Sequence, residues 1–152
     1  MTETRQIKDF QLPCTAEILV PHRPPMLFID TLLERFADRA TASAVVPENG
    51  ICVDPAQGVI PEFFIEVIAQ TMAAVNGYDA LRNGKKPHDG FLVGIDEFTF
   101  GVTPAAGRII RIEIEKTFEF GKVKIIRGEV FDGDMLLASG TIKVWENEDS
   151  EG

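Results

Sequence analysis

The sequence predicts an α+β domain in which one long, buried helix lies against an antiparallel sheet. Two stretches carry this expectation. In "IPEFFIEVIAQTMAAVNGYDALRNG", residues 60–84, Phe63, Phe64, Ile65, Val67, Ile68, Met72, Ala73, Val75, Tyr78 and Leu81 cover most of a helical circumference. A helix apolar nearly all round is one that the fold encloses. In "RIIRIEIEKTFEF", residues 108–120, the period changes to two. Ile110, Ile112, Ile114, Phe118 and Phe120 share one face, with Arg111, Glu113, Glu115 and Glu119 on the other. That alternation marks a sheet covered on one side.

The remaining elements follow in chain order. "CTAEILV" offers Thr15 as a cap to a short helical turn. "ATASAVVP" reads as a strand that stops at Pro47, and "ENGICVDPAQGV" is turn-rich through Gly50, Pro55 and Gly58. Pro61 suits the first turn of the long helix, Glu62 complements its dipole, and Gly84 can end it. Ala69, Ala73 and Ala74 would let another backbone approach closely. "GFLVGIDEFTF" is an apolar strand with glycine breaks. "KVKIIRGEVF" follows a Gly121-Lys122 turn and slips its alternation at Ile125-Ile126, where a bulge is expected. Asp132-Gly133 supplies a hairpin into "LLASGTIKVW". Residues 1–146 form one domain in this reading, and the acidic end "ENEDSEG" leaves 147–152 as a disordered tail.

Composition narrows the function classes. A chain of 152 residues with 45% hydrophobic and 26% charged residues is an ordinary globular domain. A net charge of -9 argues against nucleic acid and anionic lipid as partners. "MTETRQIKDFQLPC" lacks a signal-peptide core, and Glu66 and Gln70 interrupt the most apolar run, so the expected location is the cytoplasm, with no membrane span. Cys14 and Cys52 have no metal-ligand spacing and read as small apolar residues, so no metal and no disulfide are expected.

Two residues stand out against this background. His22, one of only two histidines, sits in "ILVPHRPPMLFID" between Pro21 and the pair Pro24-Pro25. Proline fixes φ and restricts the residue before it, so His22 has little backbone freedom. It is either a loop histidine beside turn prolines or a group held for a partner across a pocket. Glu66 is a carboxyl group inside "FFIEVIAQ". It either joins Glu62 and Gln70 on a narrow polar stripe or lines a pocket. In a pocket, a protonated carboxyl group and a neutral histidine make an acid/base pair that needs no cofactor.

"VPHRPPMLFID" followed by "EVIAQTMAAVNG" resembles the hot-dog-fold 3-hydroxyacyl-acyl carrier protein dehydratases, and within them the smaller relatives of aryl-polyene pathways. The later "GFLVGIDEFTFGVTPAAGRIIRIEIE" and "GEVFDGDMLLASGTIKV" fit the closing strands, so the resemblance spans most of the chain. It implies a hot-dog fold, a long helix wrapped by a curved sheet, and a homodimer joined edge to edge, with larger rings in some relatives. It places the catalytic histidine on His22 and the catalytic acid on Glu66, contributed by opposite subunits. His22 would take the C2 proton of a 3-hydroxyacyl thioester, on acyl carrier protein or coenzyme A, and Glu66 would protonate the departing hydroxyl.

The chain departs from that family at the approach to the helix. "DPAQGVIPEFF" replaces a glycine-rich segment, and Pro61 occupies the position whose N–H often binds the thioester oxygen. Proline has no N–H, which leaves Glu62 or Phe63 at the helix N-terminus as the expected donors. Arg23 and Asp96 either support the site or, as the better reading, are structural, and His88 reads as a loop residue. Arg82, Lys85 and Lys86 form a basic patch, either a solvated loop or a foothold for an acidic carrier. Two other functions compete with dehydration: an acyl thioesterase, which also uses a helix carboxylate, and a non-catalytic acyl-thioester-binding protein, which Pro61 favours.

Overall fold

The computed structural model describes residues 11–86 and 89–147. His88 and residues 148–152 of the expected tail lie outside them. The elements run β1 (Cys14–Thr15), a 3-10 turn (Ala16–Ile18), β2 (Thr31–Phe36), β3 (Arg39–Val45), β4 (Val53–Asp54), β5 (Gly58–Val59), α1 (Pro61–Arg82), β6 (Asp89–Phe100), β7 (Ile109–Phe120), β8 (Val123–Asp132) and β9 (Met135–Asn147). Seven strands form one antiparallel sheet in the order β1-β2-β3-β7-β8-β9-β6, and β4 pairs with β5 in a separate hairpin. The long helix lies in the curve of the large sheet: this is the hot-dog fold.

The core forms where the helix meets the middle strands. Phe63, Val67, Ile68 and Ala74 of α1 pack with Ala42 of β3, Ile110 and Ile112 of β7, and Ile126 and Val130 of β8, all at most 1% exposed. Gly128 on β8 is required by that approach, because a Cβ there would lie 2.6 Å from the Ile68 side chain. Arg35 on β2 adds a two-pronged ion pair to Asp79 on α1 (2.8 and 2.9 Å), which ties the sheet to the helix's second half.

Local chemistry sets the helix ends. Pro61 occupies the first turn with Glu62 beside it, and no side chain caps Ile60. At the other end Lys85 N–H reaches back to the Ala80 carbonyl (2.8 Å) and Gly84 N–H to that of Leu81 (3.2 Å), with Gly84 at φ 68. This closure needs a left-handed residue, and glycine takes that conformation without penalty.

Four expectations change. Thr15 makes no capping hydrogen bond, and the turn after it is a single 3-10 turn. Phe118 and Phe120 do not share the buried face of Ile110, Ile112 and Ile114, being 52% and 75% exposed. The pairing moves from Lys116↔Ile126 to Phe118↔Ile125, so Thr117 is the extra residue of a bulge that ends the alternation. The slip expected at Ile125-Ile126 is therefore real in position but carried by the opposite strand. Finally, β9 continues through Asn147, and Glu146 is 4% exposed, so the fold reaches one residue into the segment read as tail.

Candidate functional site

The segment between the 3-10 turn and β2 carries His22, and backbone packing holds it against the helix. Gly77 makes this possible: a Cβ there would lie 1.8 Å from the Leu19 carbonyl oxygen. A backbone passes close against α1 at Gly77, whereas Ala69 and Ala73 remain half-buried and line a cleft. Arg23 then folds its guanidinium back, donating through Nη1 to the carbonyls of Val20 (2.9 Å) and His22 (2.7 Å). Its role is structural, as the sequence suggested, and it adds to the prolines' restraint on His22.

Downstream, Gln70 fastens the same loop. This side chain is 1% exposed. Its Oε1 accepts from Phe28 N–H (2.8 Å), and its Nε2 donates to the Met26 carbonyl (2.8 Å) and to Glu66 Oε1 (3.1 Å). One amide therefore secures the loop that follows His22 and orients the Glu66 carboxyl group. The Phe28 ring meets Phe63 edge-on at 5.8 Å, adding an apolar anchor. Sequence reasoning placed Gln70 on a polar stripe and missed this role. Its clue was a fully amide-bearing side chain on an otherwise enclosed helix.

His22 and Glu66 line one cleft of about 710 Å³. Both are half-buried. His22 Nδ1 is buried and has no hydrogen-bond partner among the described residues. A buried polar atom without a partner is costly, so an orphan of this kind calls for a ligand or another chain. Glu66 leaves the stripe reading behind, since it faces the cleft with Gln70 rather than solvent alone.

The expected thioester-oxygen donors fare differently. Phe63 N–H donates to the Ile60 carbonyl (3.0 Å) and is not free. Neither Glu62 nor Phe63 lines the cleft. Glu62 keeps the second helical position, where N–H groups lack an intrahelical acceptor. The approach to it is the β4–β5 hairpin, whose turn is closed by Asp54 Oδ1 accepting from Ala56 and Gln57 N–H (2.8 and 3.1 Å). Asp96 pairs with Thr141 in the sheet, away from the cleft.

Two further features of the cleft escaped the sequence. Its far end is polar: Asn76 of α1 and Glu146 of β9 face it together. Glu146 accepts from Asn76 Nδ2 (2.6 Å) through one oxygen and from Lys124 of β8 through the other. Its flank is the free edge of β6, where Phe91 and Leu92 are 55% and 41% exposed. Burial pushes the thiols of Cys14 and Cys52 upward, and the negative charges of Glu66 and Glu62 add to the effect at Cys52. Both cysteines are free. Among the described residues, no cluster of histidine, cysteine and carboxylate side chains is arranged to hold a metal ion, and no helix is long and apolar enough to cross a membrane.

The family model for ApeP-like proteins, described as ApeP dehydratase, matches residues 14–152. A 3-hydroxyacyl-[acyl-carrier-protein] dehydratase FabZ from Anaeromyxobacter dehalogenans is 29% identical over 132 residues, 81% of this chain and 82% of that protein. Among solved structures, the dehydratase heterocomplex ApeI:P from Xenorhabdus doucetiae superposes with a TM-score of 0.78 at 16% identity, covering 91% of this chain and 94% of that one. A hypothetical thioesterase with coenzyme A from Streptococcus pneumoniae gives 0.60 at 7% identity, covering 76% and 84%. At such identities the two structures establish the shared hot-dog fold.

Proposed function

The chain belongs to the ApeP-like family of hot-dog-fold dehydratases, and we propose that it removes water from a 3-hydroxyacyl thioester, carried on acyl carrier protein, to give the trans-2-enoyl thioester. The observation that carries this reading is His22, with its buried, unpartnered Nδ1, in the same apolar cleft as Glu66. A histidine with free nitrogen capacity and a carboxyl group oriented by a single amide are the base and acid that a dehydration needs.

In this mechanism the imidazole of His22 takes the proton from C2 of the substrate. The electron pair of that C–H bond becomes the C2–C3 π bond, and the C3–O bond breaks. Glu66 acts in this step in its protonated form, giving its proton to the departing hydroxyl, which leaves as water. Negative charge gathers on the thioester oxygen as C2 loses its proton; the Glu62 N–H, the remaining first-turn donor, lies outside the cleft lining and serves only where the bound thioester reaches the helix N-terminus. No metal or cofactor takes part.

The proposed assembly is a homodimer through the free edge of β6. That edge exposes unpaired backbone groups together with Phe91, Leu92, Val93 and Ile95, a combination that sheets cover by pairing. The family resemblance would draw His22 and Glu66 of one site from opposite subunits, whereas one chain's cleft already holds both. The relative from Xenorhabdus doucetiae is a heterocomplex, so a different hot-dog chain is the competing partner. Sedimentation of the purified protein alone separates the two: a folded monomer at micromolar concentration removes the homodimer.

The decisive assay offers the purified protein 3-hydroxyacyl, enoyl and saturated acyl thioesters. Interconversion of the first two is expected. Release of free thiol instead would make the protein a thioesterase, and binding with neither reaction would make it a non-catalytic acyl-thioester-binding protein.

A further inference from the structure

The helix covers one side of the large sheet, and the strand register shows what the other side carries. Residues paired across neighbouring strands share a face. Phe120 of β7 pairs with Val123 of β8, Val123 with Trp145 of β9, and Trp145 with Phe91 of β6. The next row along the strands is Phe118, Ile125, Lys143 and Gly94. Ile142 and Val144, which alternate with Lys143 and Trp145 along β9, belong to the core. Both rows therefore lie on the face turned away from α1. Further along, that face is polar, as an uncovered side should be. Its third row is Glu115, Arg127, Thr141 and Asp96, and its fourth is Glu113, Glu129, Ser139 and Thr99. The outer face is thus divided, apolar beside the β7–β8 turn and acidic beyond.

The bulge at Thr117 creates the apolar half. Without that extra residue the alternation of β7 would turn Phe118 and Phe120 onto the helix side. Instead they stand 52% and 75% exposed, beside Trp145 at 41% and Phe91 at 55%. At about 200 Å² per ring, these four side chains leave roughly 450 Å² of aromatic surface in water. A contiguous apolar patch on that scale marks a contact site.

The same face carries the complement to this patch. Lys143 lies within the apolar rows, and the ammonium of Lys122 lies 5.8 Å from the centroid of the Trp145 ring. Neither lysine has a carboxylate partner among the described residues. In the next two rows the carboxylates of Glu113, Glu115, Glu129 and Asp96 outnumber Arg127. A uniformly acidic partner would suit the lysines and be repelled by those carboxylates, and an uncharged one would leave the lysines unmatched. A second copy, laid face to face with its strands running the opposite way, suits both. Apolar rows then meet apolar rows, and each copy's lysines lie over the other's carboxylates. Repulsion between two chains of net charge -9 is screened beyond about 8 Å at physiological salt, so the charges at the contact decide. Sheets stack through such interdigitated rows. The rings supply more than half of the roughly 800 Å² that each side of a stable interface contributes, and Val123, Ile125 and the lysine stems add to it.

We propose that the outer sheet face beside the β7–β8 turn is a self-association surface, on which a second copy of this chain packs sheet to sheet with opposed strands. This surface is separate from the free edge of β6, because edge pairing engages backbone groups and leaves the outer face open. An edge-joined dimer would carry both of its patches on the same side of one continuous sheet. Two such dimers stacked back to back make a tetramer, closed by two-fold axes.

The test is sedimentation of the purified protein at micromolar concentration. Phe120→Asp should weaken self-association about 30-fold or more, the worth of one hot-spot ring, and halve the mass while circular dichroism stays unchanged. If that variant does not fold, Phe120→Ser serves, with the same halving expected. Charge reversal tests the arrangement. Lys122→Glu with Lys143→Glu, and separately Asp96→Lys with Glu115→Lys, should each dissociate the contact by setting like charges together. Mixing these two double variants should restore it, since every lysine then again faces a carboxylate. A mass that Phe120→Asp leaves unchanged overturns the proposal, whether that mass is a monomer's or an edge dimer's. So does a mixture of the charge variants that stays dissociated. The edge dimer is judged separately, by the mass that remains once the face contact is broken.

Discussion

The two ends of the cleft treat their polar groups in opposite ways. At the Asn76 end the carboxylate of Glu146 is paired through both oxygens, with an amide and an ammonium. At the His22 end the imidazole keeps a buried nitrogen with no partner among the described residues, and Glu66 receives one hydrogen bond, from Gln70. A satisfied polar group in a low-dielectric setting fixes structure, whereas an unsatisfied one stores capacity to bind or exchange protons. The contrast assigns chemistry to one end and shape to the other. It can be broken at either.

The largest effects belong to the unsatisfied end. His22→Ala and Glu66→Gln are each expected to lower the dehydration rate by about 10²–10⁴, the usual worth of a positioned acid or base, while the protein stays folded by circular dichroism. One chain's cleft contains both residues, yet the family resemblance assigns them to opposite subunits. Mixing the two inactive variants distinguishes these arrangements. With random subunit exchange about half of the dimers are mixed, each carrying one intact site, so activity should recover to roughly a quarter of parental. Exchange without recovery would put base and acid in the same subunit.

The satisfied end should fail in stability instead. Lys124→Met leaves the Glu146 carboxylate buried without its cation, which costs about 3 kcal/mol when one member of a buried pair is removed. Urea unfolding reads this directly. Replacing both partners, Lys124→Met with Glu146→Leu, should recover most of the loss, because an apolar pair has no charge to strand. Equal destabilisation in the single and double variants would mean that the pair contributes packing alone.

This contrast also explains what could be read from the chain. The enclosed helix, its stop at Gly84 and the first half of β7 were legible because each is a local pattern of side-chain period. Phe118 and Phe120 were misread because a single bulge residue, Thr117, changes their environment without changing the alternation of residue types. His22 and Glu66 stood out as polar groups in unsuitable surroundings. Glu146 did not, because it borders the acidic run "ENEDSEG" and looks like its beginning. Its signal was parity: Ile142, Val144 and Glu146 alternate onto the inward face of β9, as Lys124 and Ile126 do on β8. The partner that explains it, Asn76, is 70 residues away in the chain, and no local pattern reports such a pair.

Gln70 lies between the two regimes, since it is fully bonded but its bonds hold the His22 end. Gln70→Leu keeps the helix apolar yet strands the Phe28 N–H and the Met26 carbonyl. Each such unmet backbone group costs about 1–3 kcal/mol where it stays buried. The loop after His22 should loosen, seen as faster amide hydrogen exchange at Phe28. Activity should drop by up to about 10², the scale on which small misplacements of a catalytic group are felt. A fall in activity with unchanged exchange at Phe28 would assign the effect to Glu66 orientation alone.

The smallest effect is a reporter of charge at the acid. Desolvation raises the Cys52 thiol, and the charges of Glu66 and Glu62 raise it further. The Cys14 thiol is raised by desolvation only. Alkylation proceeds through the thiolate, so below the thiol's own pKa its rate follows the thiolate fraction. Removing one negative neighbour with Glu66→Gln should lower the Cys52 pKa and speed its reaction with iodoacetamide relative to Cys14. Cys14 supplies the internal standard, because no carboxylate acts on it. Identical Cys52 rates at every pH would mean that the Glu66 carboxylate does not act on this thiol, and that its side chain is turned away from Cys52.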